Sequence, residues 1–99
     1  MEINALMMDA KDNVVTCVEE IEAGQRVVYR KGDEILSVTA QEAIPYCHKI
    51  ALENIPEGAE VIKYGELLGK TSAPIGKGRW VSHENIYSVP RDYDSEFIR

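Results

Sequence analysis

Short runs of β-branched and apolar residues, each four to six long, alternate with turn residues along most of the chain. Val14-Val15-Thr16-Cys17-Val18 is the first, and Arg26-Val27-Val28-Tyr29-Arg30 follows with charged ends. Glu34 to Thr39 comes after Lys31-Gly32-Asp33, a glycine-containing turn. His48 to Leu52, Glu60 to Tyr64, Arg79 to Ser82 and Glu84 to Val89 continue the series. Runs of this length, rich in Val, Ile, Tyr and Thr and broken at short intervals, predict a compact all-β domain. Helical signal is weak. Asp12 to Ala23 carries a Val-Val-Thr run that disfavours a helix. At most one or two helical turns are expected. One would be capped by Thr39 with Glu42 three residues on, and the other would run from Tyr64 to Gly69.

A turn device recurs. Ile-x-x-Gly-x-x-Val occurs at Ile21–Val27, Ile55–Val61 and Ile75–Val81. The isoleucine anchors a turn in the core, the glycine takes a positive φ without steric cost, and the valine starts the next buried strand. The spacings of 34 and 20 residues are unequal, which excludes a solenoid.

Length then bounds the answer: 99 residues make one small domain. The domain is expected over residues 1–89, with 90–99 as a polar tail that starts at Pro90 and carries Tyr93, Phe97 and Ile98. A net charge of −6 disfavours nucleic acid and anionic membrane surfaces, both of which need clustered Lys and Arg. No apolar run approaches a membrane span, and the amino terminus lacks the basic start and long apolar stretch of a signal peptide. A cytoplasmic chain is expected. Cys17 and Cys47 have no CxxC spacing and no metal-site companion nearby in sequence.

Chemistry is confined to a few positions. The two histidines are His48 and His83. If Lys49 to Leu52 is a strand, His48 shares a face with Ile50 and Leu52, while Lys49 and Ala51 take the other. His48 then stands where a core meets solvent, either bonded to local backbone or acting as ligand, acid, base or anion donor. Ser82-His83-Glu84-Asn85 is a dense polar cluster, either a solvated hairpin turn or a set of donors and ligands. Two neighbouring ligands do not complete a metal site, so any others would come from elsewhere. Residues 44–82 carry five Lys and Arg against four Glu, the least acidic part of the chain and the best place for an anionic substrate.

The run Ile44-Pro45-Tyr46-Cys47-His48-Lys49-Ile50-Ala51-Leu52, continued by Ile55, Gly58, Val61-Ile62-Lys63-Tyr64-Gly65 and Gly69, resembles the SAF-type domain of the altronate/galactarate dehydratase family. The resemblance covers Asp12 to Ile86. It implies a β-clip fold of short, strongly bent strands. It also implies a much larger catalytic partner, in enzymes that dehydrate sugar acids or cleave sulfolactate. On this resemblance the chain is the small subunit of such a lyase and is not active alone. His48 and Lys49 take catalytic roles, and Lys63, His83 and Asn85 bind a small anionic sugar acid or sulfo-carboxylate. Glu84 is a candidate metal ligand. The cofactor is left open, with a divalent metal (iron, manganese or magnesium) compatible with the assembled enzyme, as is a homo-oligomer. The chain departs from the family pattern in two stretches: its Gly before His-Lys is Cys47, and its final His-x-His-Asn is Ser82-His83-Glu84-Asn85. The alternative is a non-catalytic binding or assembly module with Tyr46, Tyr64 and Trp80 as an exposed contact patch.

Overall fold

The computed structural model describes residues 2–82 and 84–87. Nine strands and no helix form among the described residues: β1 Ala5–Leu6, β2 Val14–Cys17, β3 Arg26–Lys31, β4 Glu34–Thr39, β5 Lys49–Ala51, β6 Glu60–Lys63, β7 Glu66–Thr71, β8 Trp80–Val81 and β9 Ile86–Tyr87. No described helix is long and apolar enough to cross a membrane. The expected tail, residues 90–99, lies outside the described residues, as does His83.

The strands build a four-stranded antiparallel sheet in the order β1-β2-β5-β8, a β3–β4 hairpin, and a three-stranded sheet β6-β7-β9. Strand β5 lies inside the four-stranded sheet and is buried on both faces. Ile50 enters a core with Val15, Ile21, Val27 and Ile44. Ala51 enters a second core with Val14, Ile55, Val61, Ile75 and Val81. Leu52 packs on the first core with Trp80, so the period-2 assignment of faces along this segment holds.

The recurrent turn explains this two-core plan. Gly24, Gly58 and Gly78 all have positive φ, at 88°, 78° and 86°. A fourth copy, Ile44-Pro45-Tyr46-Cys47-His48-Lys49-Ile50, has the same shape, with Cys47 at φ 66° in the glycine position and Ile50 for the valine. Each turn is closed by one backbone bond of the same kind: Gln25 N to Glu22 O, His48 N to Pro45 O, Ala59 N to Pro56 O and Arg79 N to Gly76 O. The four turns come in two pairs, Ile21 bridged to Ile44 and Ile55 bridged to Ile75. Each pair seeds one core, and all eight Ile and Val anchors are buried.

The pairing makes the domain one unit built twice. Asn4 accepts from Val28 N and donates to Arg26 O, stapling β3. Asn13 does the same for β6 through Ile62 N and Glu60 O. β5 ends the first unit and begins the second.

The helical turn expected at Tyr64–Gly69 is not formed. Tyr64 (φ 58°) and Gly65 (φ 73°) are the two central residues of a tight hairpin between β6 and β7. Two consecutive positive φ values match the right-handed twist of the flanking strands and cannot start a right-handed helix. The buried Asp12 carboxylate fixes this tip by accepting from Gly65 N at 2.8 Å. The capped turn expected at Thr39 is also absent: Thr39 ends β4, and Ala40 N bonds back to Gln25 O.

Candidate functional site

The candidate residues gather around the start of β5. The Ile44–Ile50 turn delivers His48 at its exit, and strand alternation sends Lys49 to the opposite face. Cys47 keeps the turn's left-handed backbone although its side chain makes that region costly, by about 1–2 kcal/mol. Cys47 thus holds the glycine's place in the turn that leads to His48. The neighbouring Cys47 side chain raises the Tyr46 pKa above the ordinary tyrosine value. Both cysteines are free, Cys47 exposed and Cys17 buried. Burial first, and the Glu19 charge second, push the Cys17 thiol up to about 11. It stays protonated and serves as core.

His48 is half-buried and tied to Trp80. The indole Nε1–H donates to His48 Nδ1 at 3.1 Å, and the rings meet edge to face at 5.3 Å. Trp80 is itself fixed. Its backbone N–H donates to Glu42 Oε2 at 3.1 Å, its carbonyl accepts from Asn85 Nδ2 at 2.7 Å, and its ring packs on the first core. The expectation that Trp80 forms part of an exposed patch is thus corrected: it is half-buried and bound to His48. Tyr46 and Tyr64 are exposed.

Lys49 lies opposite Val81 in register. Burial first, and the Lys63 ammonium second, lower the Lys49 pKa below the ordinary lysine value of 10.5. Lys63 is held over the Tyr64 ring, its Nζ 4.8 Å from the centroid. The two ammoniums are near enough to repel and neither joins an ion pair among the described residues, where the one ion pair is Arg79–Glu42 at 3.9 Å. A small anion is the natural ligand for such a pair.

The sign of the Lys49 effect is testable. The unfolded chain holds this proton more tightly than the folded one, so Lys49 costs stability throughout the neutral range. The cost is relieved as pH rises through the lowered folded pKa. Lys49→Met is expected to raise the melting temperature of the free chain by about 2 °C at neutral pH. The gain should shrink in strongly alkaline buffer. Equal gains at both pH values in thermal melts would exclude a charge origin.

Asn85 is committed to the backbone. Its Oδ1 accepts from Ser82 N at 2.8 Å while its Nδ2 holds the Trp80 carbonyl. Ser82 Oγ accepts from Glu84 N, so the Ser82–Asn85 loop is closed by its own side chains. Glu84 is exposed. No group of three His, Cys, Asp or Glu side chains that could hold a metal forms among the described residues, so these residues do not make a metal centre by themselves. The structure thus links His48 to Trp80 and Trp80 to Asn85, while Lys49, on the opposite face of β5, feels the charge of Lys63. No described hydrogen bond links the two groups. Sequence reasoning missed Glu42 and the Trp80–His48 bond. Neither has a local signal, because the partners are 38 and 32 residues apart.

Comparison with known proteins places the chain among relatives. The chain is 35% identical over 89 residues to the (2R)-sulfolactate sulfo-lyase subunit alpha of Chromohalobacter salexigens, covering 87% of this chain and 95% of that protein. It is 35% identical to the galactarate dehydratase (L-threo-forming) of Escherichia coli over 77 residues, 76% of this chain and 13% of the enzyme. It is 32% identical to the altronate dehydratase of Escherichia coli over 89 residues, 90% of this chain and 17% of the enzyme. The chain therefore spans nearly all of the sulfo-lyase subunit but under one fifth of each dehydratase. The model of the altronate/galactarate dehydratase SAF domain matches residues 3–89, and the chain belongs to that family.

Proposed function

We propose that the chain is the small subunit of a cytoplasmic lyase acting on a sugar acid or a sulfo-carboxylate, with a larger catalytic chain completing the cavity. The observation that carries this reading is the near end-to-end match to a sulfo-lyase subunit that is itself a separate small chain. The cationic pair supports it, since both substrate classes are anions. On this reading Lys49 and Lys63 offset the substrate's carboxylate or sulfonate charge. His48 meets the substrate from the other side of the strand end. Asn85 braces the loop that presents Glu84 at the same mouth, and His83 is proposed as a further substrate-binding residue.

Dehydration removes a proton α to the carboxylate and expels the β-hydroxyl as water. The larger chain supplies the base. Lys49 is suited to its part because a bound anion removes what makes its charge costly: it restores favourable surroundings to a half-buried ammonium and screens it from Lys63. Glu84 offers one hard oxygen donor. The other ligands of a divalent metal would come from the larger chain.

The test is capture of the tagged chain from its native extract, followed by a turnover screen with hexonates, aldarates and sulfolactate. The expected result is co-purification of a chain of several hundred residues resembling the dehydratase catalytic part, with activity in the complex and none in the free chain. Recovery of the chain without any such companion would favour the binding module instead.

A further inference from the structure

The Trp80–His48 contact carries more than packing. A tryptophan Nε1–H is only ever a donor, so the His48 Nδ1 that receives it at 3.1 Å must present a lone pair. The neutral imidazole then holds its proton on Nε2, the edge turned away from the indole. No described residue accepts from that edge.

We infer that Trp80 is a positioning residue that locks His48 as the Nε2–H tautomer, so that His48 meets an anionic substrate as a hydrogen-bond donor and not as the base. The part about substrate rests on the lyase reading; the lock does not.

Three observations make this a built device. Trp80 is anchored at three points independent of the imidazole: Glu42 on its N–H, Asn85 on its carbonyl and the first core against its ring. Strand pairing of Ile50 with Trp80 sets the ring beside the turn that delivers His48. That turn keeps a left-handed backbone at Cys47, immediately before His48, without a glycine. Glu42 does a second task here. Its carboxylate lies 3.1 Å from Trp80 N and 3.9 Å from Arg79 Nη1, so the start of β8 is held on the side away from β5. A substrate carboxylate or sulfonate presents only acceptors, so a neutral imidazole with its one proton aimed outward fits it. An outward lone pair would repel it.

Trp80 is the sole tryptophan of the chain, so its indole N–H gives one signal. The experiment is nitrogen-15 NMR of the free full-length chain in mildly alkaline buffer. It is paired with Trp80→Phe and His48→Ala variants and with turnover of the assembled complex. The wild-type chain should show His48 with a bare, hydrogen-bonded Nδ1 and a protonated Nε2. The indole signal should be protected from exchange and should lose that protection in His48→Ala. Trp80→Phe keeps the ring and should let the His48 signals move to a mixture of tautomers. In the complex kcat should fall about three- to tenfold, the worth of one hydrogen bond, with little change in KM. Should Trp80→Phe fail to fold, the wild-type and His48→Ala spectra decide alone.

A wild-type spectrum with the proton on Nδ1 overturns the inference. So does an indole signal indifferent to His48→Ala. An Nε2–H spectrum combined with full turnover of the His48→Ala complex supports the lock and overturns the placement of His48 at the substrate. The two failures are therefore distinguishable.

Discussion

Gly78→Ala is expected to lower the melting temperature severely, while Gly24→Ala, the same substitution in an equivalent turn, costs far less. Both glycines have positive φ, at 86° and 88°, so both variants bear the left-handed penalty of about 1–2 kcal/mol. They differ in surroundings. A Cβ at Gly24 meets nothing within 4 Å. A Cβ at Gly78 would overlap the Thr39 carbonyl oxygen and come within 3.0 Å of Gln41 Cγ. The carbonyl belongs to backbone at the end of β4 and cannot swing aside. Gly78 is also bonded on both sides, through its N–H to Ala51 O and its carbonyl to Gln41 N. Moving it breaks the contact between the two units. The total penalty is placed above about 3 kcal/mol, which for a domain of this size is a fall of roughly 12 °C or more. Thermal melts followed by circular dichroism decide it. Near-equal melting temperatures for the two variants would show that the close approach at Gly78 is not sustained in solution.

Removing the imidazole of His48 should have the largest effect on function. In the assembled complex His48→Ala is expected to lower kcat by about 10²–10³, the usual loss when one well-placed donor to developing oxygen charge is deleted. The free variant chain should still fold. His48 is half-buried, so the change opens no core cavity, and the Trp80 indole it leaves behind is close enough to the surface to bond water. The comparison needs both measurements: turnover of the complex, and a melt showing the free chain within a few degrees of wild type. Wild-type turnover would remove His48 from the site.

The strands were legible because each satisfies a local rule. The Glu34–Thr39 run is β4 to the residue, the runs at Val14, His48 and Glu60 each contain a strand, and the run at Arg26 stops one residue short of the end of β3. β1 escaped notice because two residues carry no period. β7 escaped because Glu66-Leu67-Leu68-Gly69 reads equally well as a capped turn, and only the positive φ pair before it settles the matter. The turn device was seen three times and is present four times. Cys47 conceals the fourth copy, since a cysteine gives no local sign that it will adopt a glycine's backbone. Without it the spacings are irregular; with it they resolve into two pairs. At the candidate site the cationic residues were legible from charge alone. The Trp80–His48 and Trp80–Glu42 bonds were not, because they depend on which strands become neighbours.

One consequence of β5 concerns how the molecule comes and goes. This strand gives Ile50 to one core and Ala51 to the other. Neither core can close until the other does, so the two halves share a single melting event, without a stage in which one half stands alone. His48 and Lys49 sit where that shared strand begins. A companion chain would therefore meet them correctly arranged or not at all, and its docking would report on the integrity of the whole small chain.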